Sequence, residues 1–246
     1  MVRLLSLALF CFLAAPLAHA EPITLTAADG VKVYGEVYRA ATARNAPLIL
    51  AFHQAGSSHA EYAPLALRLN QAGFTVLTID QRSGGGEFGG SNKTVTALGR
   101  SADYDAALAD LEAALAWGKA NAQGAPLLVW GSSYSAALVF LLAARHPDDI
   151  TALLAFSPGE YLKDPKSVRA AAAHVGVPVF VTQASDAEEI EQSRAILKAV
   201  KSADKQQALA HRGVHGSATL RADTNAAGAE ENWAAVMRFL ARFKPG

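Results

Sequence analysis

The sequence predicts a single α/β domain: a mostly parallel, twisted sheet of about eight strands with helices on both faces. Three observations carry this reading. Continuous apolar runs, such as residues 47–52 and 74–79, have the composition of strands buried on both faces. Stretches with helical periodicity separate them. Proline and glycine are spread along the chain rather than gathered into a linker, and there is no internal repeat. Strands alternating with helices are built from βαβ units, whose right-handed crossovers cover both faces of a sheet.

The elements follow in order. Residues 22–26 lead to an Asp29-Gly30 turn, after which Val31, Val33, Gly35 and Val37 alternate with Lys32, Tyr34, Glu36 and Tyr38. Period two across an Asp-Gly turn predicts a hairpin. Residues 47–52 form the first fully buried strand. Tyr62, Leu65, Leu67 and Leu69 mark a helix that Gly73 stops, and 74–79 form the next strand, ending at Asp80. Tyr104, Ala107, Leu108, Leu111, Leu115 and Trp117 repeat at helical spacing. A strand at 126–131 and an alanine/leucine helix at 135–145, stopped by Pro147, come next. Then come a strand at 150–156, a helix at 167–174, a strand at 177–182 and a helix at 188–200. A weaker strand at 207–211 precedes the closing helix at 232–243, which carries Trp233, Val236, Met237 and Leu240 on one face.

Composition excludes several functions. The 246 residues hold 22 Lys+Arg against 22 Asp+Glu, so no net basic charge attracts nucleic acid or anionic lipid. A chain 51% hydrophobic and 18% charged folds rather than staying disordered. One cysteine, Cys11, can form neither an intramolecular disulfide nor a cysteine-based zinc site. No metal or organic cofactor is expected.

Residues 1–20 stand apart. Arg3 gives a positive start, a charge-free apolar run extends from Leu4 to Ala15, and Ala18-His19-Ala20 fits a small-x-small cleavage site. This predicts a signal peptide cleaved after Ala20, and hence export to the periplasm or beyond. The alternative, an N-terminal anchor, needs roughly 20 apolar residues, more than this run supplies. Phe10 occupies the place where a lipoprotein signal would carry a small residue before Cys11. Cleavage leaves residues 21–246 as one domain with no cysteine, 21 basic and 22 acidic residues, and no run long enough to span a membrane.

The strongest local pattern is Gly131-Ser132-Ser133-Tyr134-Ser135, where a buried strand runs directly into a helix. Small residues two before and two after the central serine suit a turn too tight for side chains there. The plain alternative is a helix cap, since Ser132 or Ser133 would suit an N-cap. The pentapeptide resembles the Gly-x-Ser-x-Gly nucleophile elbow of the α/β-hydrolase superfamily, with Ser135 in place of the second glycine. The similarity extends over nearly all of residues 21–246. The loop His53-Gln54-Ala55-Gly56 and the small size look most like the dienelactone-hydrolase-like and serine esterase branch.

The resemblance implies a Ser–acid–His chain order. Ser133 is the expected nucleophile and His215, within Gly213-Val214-His215-Gly216, the expected base. Among the other histidines, only His211 competes. Asp186, after the strand at 177–182, is the expected acid. Glu188 and Glu189 read as first-turn residues of the following helix, where acids suit its dipole, and Asp204 lies at the wrong sheet edge. The resemblance also implies an oxyanion hole from the amides of Tyr134 and Ala55, with Gln54 as the nearby alternative. His53 would line the floor of the site, and Tyr161, in the segment 157–161, would line the substrate pocket. Arg82, in Asp80-Gln81-Arg82-Ser83-Gly84, is expected to be structural.

The glycines up to Gly90 precede no Gly-Lys-Ser/Thr, and no helix is expected to start there, so a phosphate-binding loop is excluded in favour of a mobile rim. The interval between Ser157 and Val175 is too short for a large cap domain. These implications describe a serine hydrolase acting on a small-molecule carboxylic ester, with no nucleic-acid partner. A peptidase or thioesterase on the same triad, or a non-catalytic binding protein of the same fold, are the alternatives.

Overall fold

In a computed structural model, residues 20–40 and 45–244 are described. Residues 1–19 of the expected signal peptide lie outside the described residues. The chain opens with an antiparallel hairpin of β1 (Ala20–Thr26) and β2 (Lys32–Tyr38). It continues through β3 (Leu48–Phe52), α1 (Ala63–Gln71), β4 (Thr75–Ile79), α2 (Lys93–Leu98) and α3 (Leu108–Asn121). Next come β5 (Leu127–Ser132), α4 (Tyr134–Arg145), β6 (Ala152–Phe156), α5 (Ser167–Ala172) and β7 (Val179–Thr182). The chain closes with α6 (Ala187–Ala199), β8 (Lys205–Ala208) and α7 (Ala229–Leu240).

The eight strands form one sheet in the order β1-β2-β4-β3-β5-β6-β7-β8. Strand β2 runs against both of its neighbours, and β4, β3, β5, β6, β7 and β8 are parallel. The period-two pleat divides the apolar runs between two cores. Leu48, Leu50 and Phe52 of β3, with Val129 of β5, join the core beneath α3, α4, α5 and α6. Ile49 and Ala51, with Leu128 and Trp130, join the core beneath α1 and α7. In the second core Trp130 stacks on Phe156 with ring centroids 4.7 Å apart. Each of these large side chains contributes about 1.5–3 kcal/mol on burial.

Three expectations change. Strand β8 begins at Lys205 rather than 207, so His211 falls beyond it. The glycine-rich segment is followed by a helix after all: Asn92 caps α2 by accepting from Val95 N–H at 2.8 Å. The front of that segment is also no free rim. Gln81, Arg82 and Ser83 are buried, and Gly85 N–H and Glu87 N–H donate to Ser57 and Gly56 carbonyls at 2.7 and 3.0 Å. Arg82 is structural as read, bonded to buried Asp110 at 2.7 Å and paired with Asp29.

Because β3 and β5 to β8 are parallel, the loops at their carboxyl ends gather at one edge, where ligand sites of open α/β sheets form. Only residues 157–166 separate β6 from α5. Among the described residues, no large cap stands over that edge. No helix among the described residues is long and apolar enough to cross a membrane.

Candidate active site

Strand β5 delivers Ser133 to this edge. Its φ of 57° and ψ of −122° lie in a region that a non-glycine residue enters only under strain. The strain is held from several sides. Ser133 N–H donates to Phe156 O at 2.8 Å, and Ser133 O accepts from Ala136 N–H at 2.8 Å at the start of α4. A Cβ at Gly131 would be driven into the Ser135 carbonyl, so the first glycine of the pattern is required. The second is not. Ser135 Oγ donates to His53 O at 2.6 Å and accepts from Gln81 Nε2 at 2.5 Å, tying the elbow to the loops after β3 and β4.

His215 lies on the loop between β8 and α7. Its Nε2 is 2.8 Å from Ser133 Oγ, and its Nδ1 is 2.5 Å from Glu189 Oε1. The proton therefore sits on Nδ1, facing the carboxylate, and Nε2 accepts from the serine hydroxyl. The Glu189 bond raises the His215 pKa above the ordinary imidazole value, against the opposing pull of burial. Burial would raise the Glu189 carboxyl, yet bonds from His215, Ser157 and Ala184 together hold it below the usual glutamate value.

Ser133 and His215 thus meet as expected, but Asp186 does not join them. Asp186 is the N-cap of α6, and its Oδ1 accepts from Glu189 N–H at 2.9 Å. Capping turns the aspartate toward the helix and leaves Glu189, three residues on, to reach the imidazole. The signal was present in the sequence, since an Asp at N-cap and a Glu at N3 form the capping-box spacing.

The loop after β3 corrects two further expectations. Gln54 N–H is already spent on Glu61 Oε2 at 2.7 Å, so it is no oxyanion donor. Ala55 N–H has no acceptor among the described residues. Tyr134 N–H, the first amide of α4, lacks an intrahelical acceptor. His53 is fully buried and cannot touch substrate. Its Nδ1–H donates to Gln54 O at 2.7 Å, and its Nε2 accepts from Gln81 N–H at 3.0 Å. Burial pushes its pKa down to about 4, so it is a neutral brace within the loop.

Tyr161 is half-buried and donates to Ser157 O at 3.1 Å. Together with Tyr104 and Leu162 it lines a surface cavity of about 310 Å³. Tyr104 in turn stacks on Tyr134, the residue after Ser133, at 4.5 Å between centroids. Sequence reasoning missed Glu61. Its carboxyl is buried and pushed up to about 7, chiefly by desolvation. An acid placed in the i, i+4 series Glu61, Leu65, Leu69, otherwise an apolar stripe, was its signal.

Chemically, a hydroxyl, an imidazole and a carboxylate in series can deprotonate the hydroxyl for attack on a carbonyl. Two free amides nearby suit a developing oxyanion.

The family model described as serine aminopeptidase, S33, matches residues 43–166. No curated protein matches the chain. Among solved structures, a dienelactone hydrolase from Anabaena variabilis aligns with TM-score 0.72 and 17% identity, over 93% of this chain and all of that one. An esterase from Pyrococcus furiosus aligns with TM-score 0.69 and 20% identity, over 93% and 92% of the two chains. A cold-adapted esterase from an Arctic intertidal metagenomic library gives 0.68 and 18%, over 93% and 95%. At these identities the structures speak for the fold. The family match speaks for the chemistry: the chain belongs to the serine aminopeptidase S33 family and is a serine hydrolase of the α/β-hydrolase fold.

Proposed function

We propose that the chain is an exported esterase that cleaves small carboxylic esters through an acyl-enzyme on Ser133. The observation that carries this reading is the unbroken hydrogen-bonded series from Ser133 Oγ through His215 to Glu189. Ser133 Oγ attacks the ester carbonyl carbon as its proton passes to His215 Nε2. The Ala55 and Tyr134 amides receive the oxyanion, each worth about 3 kcal/mol to the transition state. Collapse expels the alkoxide, which takes the proton from Nε2, and the acyl group stays on Ser133. Water then attacks by the same route and releases the acid. Glu189 keeps the imidazole in the tautomer that both steps need.

A fluorophosphonate probe tests the nucleophile. The protein should be labelled, and Ser133→Ala should not; labelling that persists in the variant refutes the assignment. Esters of p-nitrophenol with acetate and butyrate should turn over. The matched family's description favours a second reading, an aminopeptidase, so aminoacyl p-nitroanilides belong in the same assay. Faster turnover of the anilides would overturn the ester reading. Export rests on the charge and apolar pattern of residues 1–20. Protein secreted by its host should begin at Glu21, and an intact Met1 would refute cleavage.

A further inference from the structure

We propose that Glu61 is a positioning residue whose side chain clamps together the three loops bearing the oxyanion amide, the nucleophile and the base. The proposal rests on the hydrolase reading above and adds a residue to it. Glu61 Oε2 accepts from Gln54 N–H at 2.7 Å, immediately before Ala55. Glu61 Oε1 accepts from Ser132 O–H at 2.7 Å, immediately before Ser133. Ser132 Oγ in turn accepts from Ser217 N–H at 2.8 Å, two residues after His215. One carboxyl and one hydroxyl therefore join segments 7, 71 and 85 residues apart in sequence.

The clamp is itself held in place. Arg221 Nη1 donates to the carbonyls of Ala60 and Glu61 at 2.9 and 2.8 Å, and its guanidinium lies 4.6 Å from the Phe88 ring centre. Glu61 has no ion-pair partner among the described residues. Burying a carboxyl without a cation is costly, and neutral donors recover only part of the lost hydration. Packing alone gives no reason for a buried acid in the turn just ahead of α1, in line with the helix's apolar stripe. The arrangement does give one. By taking Gln54 N–H, Glu61 withdraws that amide from the site and turns the loop so that the next amide, at Ala55, stays open. An oxyanion donor displaced by about 1 Å can cost on the order of a hundredfold in rate.

The test uses Glu61→Ala, Glu61→Gln and Ser132→Ala in the purified protein. Four readouts are kcat and KM on p-nitrophenyl acetate, fluorophosphonate labelling rate, thermal midpoint, and amide exchange by mass spectrometry. Glu61→Ala should lower kcat about 10- to 100-fold with KM within about threefold. Its labelling rate should fall in parallel, and exchange should rise together in residues 53–57 and 213–218. Glu61→Gln, which keeps an acceptor for Gln54 N–H, should recover kcat to within about fivefold of wild type.

Folded Glu61→Ala with kcat within about twofold of wild type overturns the proposal, as does Glu61→Gln no better than Glu61→Ala. If Glu61→Ala does not fold, Ser132→Ala decides. Unchanged kcat and unchanged exchange at 213–218 in that variant overturn the clamp. A wild type inert to both ester and probe would refute the hydrolase reading. Exchange would then settle the clamp separately, and loops that exchange alike with and without Glu61 would overturn it.

Discussion

Replacing Glu189 by glutamine should be far more damaging than removing one charge, and the hydrogen bonds around it show why. Glu189 Oε2 accepts from Ala184 N–H at 3.0 Å, and Oε1 accepts from His215 Nδ1 at 2.5 Å. A glutamine has one oxygen to offer. The Ala184 amide is a fixed donor and claims it, so the NH₂ group turns toward the imidazole. His215 Nδ1 must then become an acceptor, which moves the proton to Nε2, where it can no longer accept from Ser133. A wrong-tautomer substitution of this type in a serine triad costs about 10⁴-fold in kcat, roughly 5.5 kcal/mol of transition-state stabilisation. Asp186→Asn is the matched control, because asparagine caps a helix as well as aspartate does. It should leave kcat within about twofold. Steady-state hydrolysis of p-nitrophenyl acetate and the labelling rate of Ser133 read both variants, with circular dichroism to verify folding. A hundredfold loss in Asp186→Asn, with Glu189→Gln within tenfold of wild type, would refute this reasoning and restore Asp186 as the acid.

Three further outcomes follow from the same contacts. His215 must be neutral to take the serine proton, and Glu189 raises its pKa. The acid limb of kcat/KM against pH should therefore have its midpoint above the ordinary 6.5, and Glu189→Gln should move it down. Glu61 is raised from 4.5 to about 7 by burial. The folded state then holds the proton that the unfolded chain releases, so this group costs stability as pH rises from 4.5 through 7. The cost is roughly 3 kcal/mol once pH exceeds both values. Urea titrations at pH 4 and pH 8 should show Glu61→Gln gaining on wild type by about that amount at the higher pH. Ser135→Ala leaves His53 O and Gln81 Nε2 short of a partner and should cost about 1–3 kcal/mol. That corresponds to a fall of about 2–12 °C in thermal midpoint, measurable by calorimetry.

The legible parts of this molecule are those where a local rule leaves one solution. Strands β3 to β7 are buried on both faces, so their runs are apolar and stand out. Strand β8 reads KQQA and lies at the sheet edge, half exposed, with Gln207 held by Gln183 and Ile190 rather than by a core. Its identity comes from pairing with β7, which periodicity does not encode, and the expected position was late for that reason. The elbow was legible because the strand-to-helix turn demands a small residue at 131. The same steric rule hid the role of Ser135, since being small enough to fit says nothing of a hydroxyl that bonds to the neighbouring loop.

The acid shows most clearly what sequence order conceals. Asp186 and Glu189 both follow β7 and both precede the base, so chain order fits either. What separates them is the helix that begins between them. An aspartate at the N-cap folds back on the first-turn amides, and its short side chain has no reach left for a partner across the cleft. A glutamate at N3 carries one more methylene, and its backbone amide is already satisfied by the cap. Its carboxylate is therefore free to extend to His215, with the Ala184 amide to hold it. The capping requirement of α6 and the orienting requirement of the base are thus met by two acids three residues apart. Asp186 owes its place in this site to the helix, and Glu189 can serve His215 because Asp186 serves the helix first.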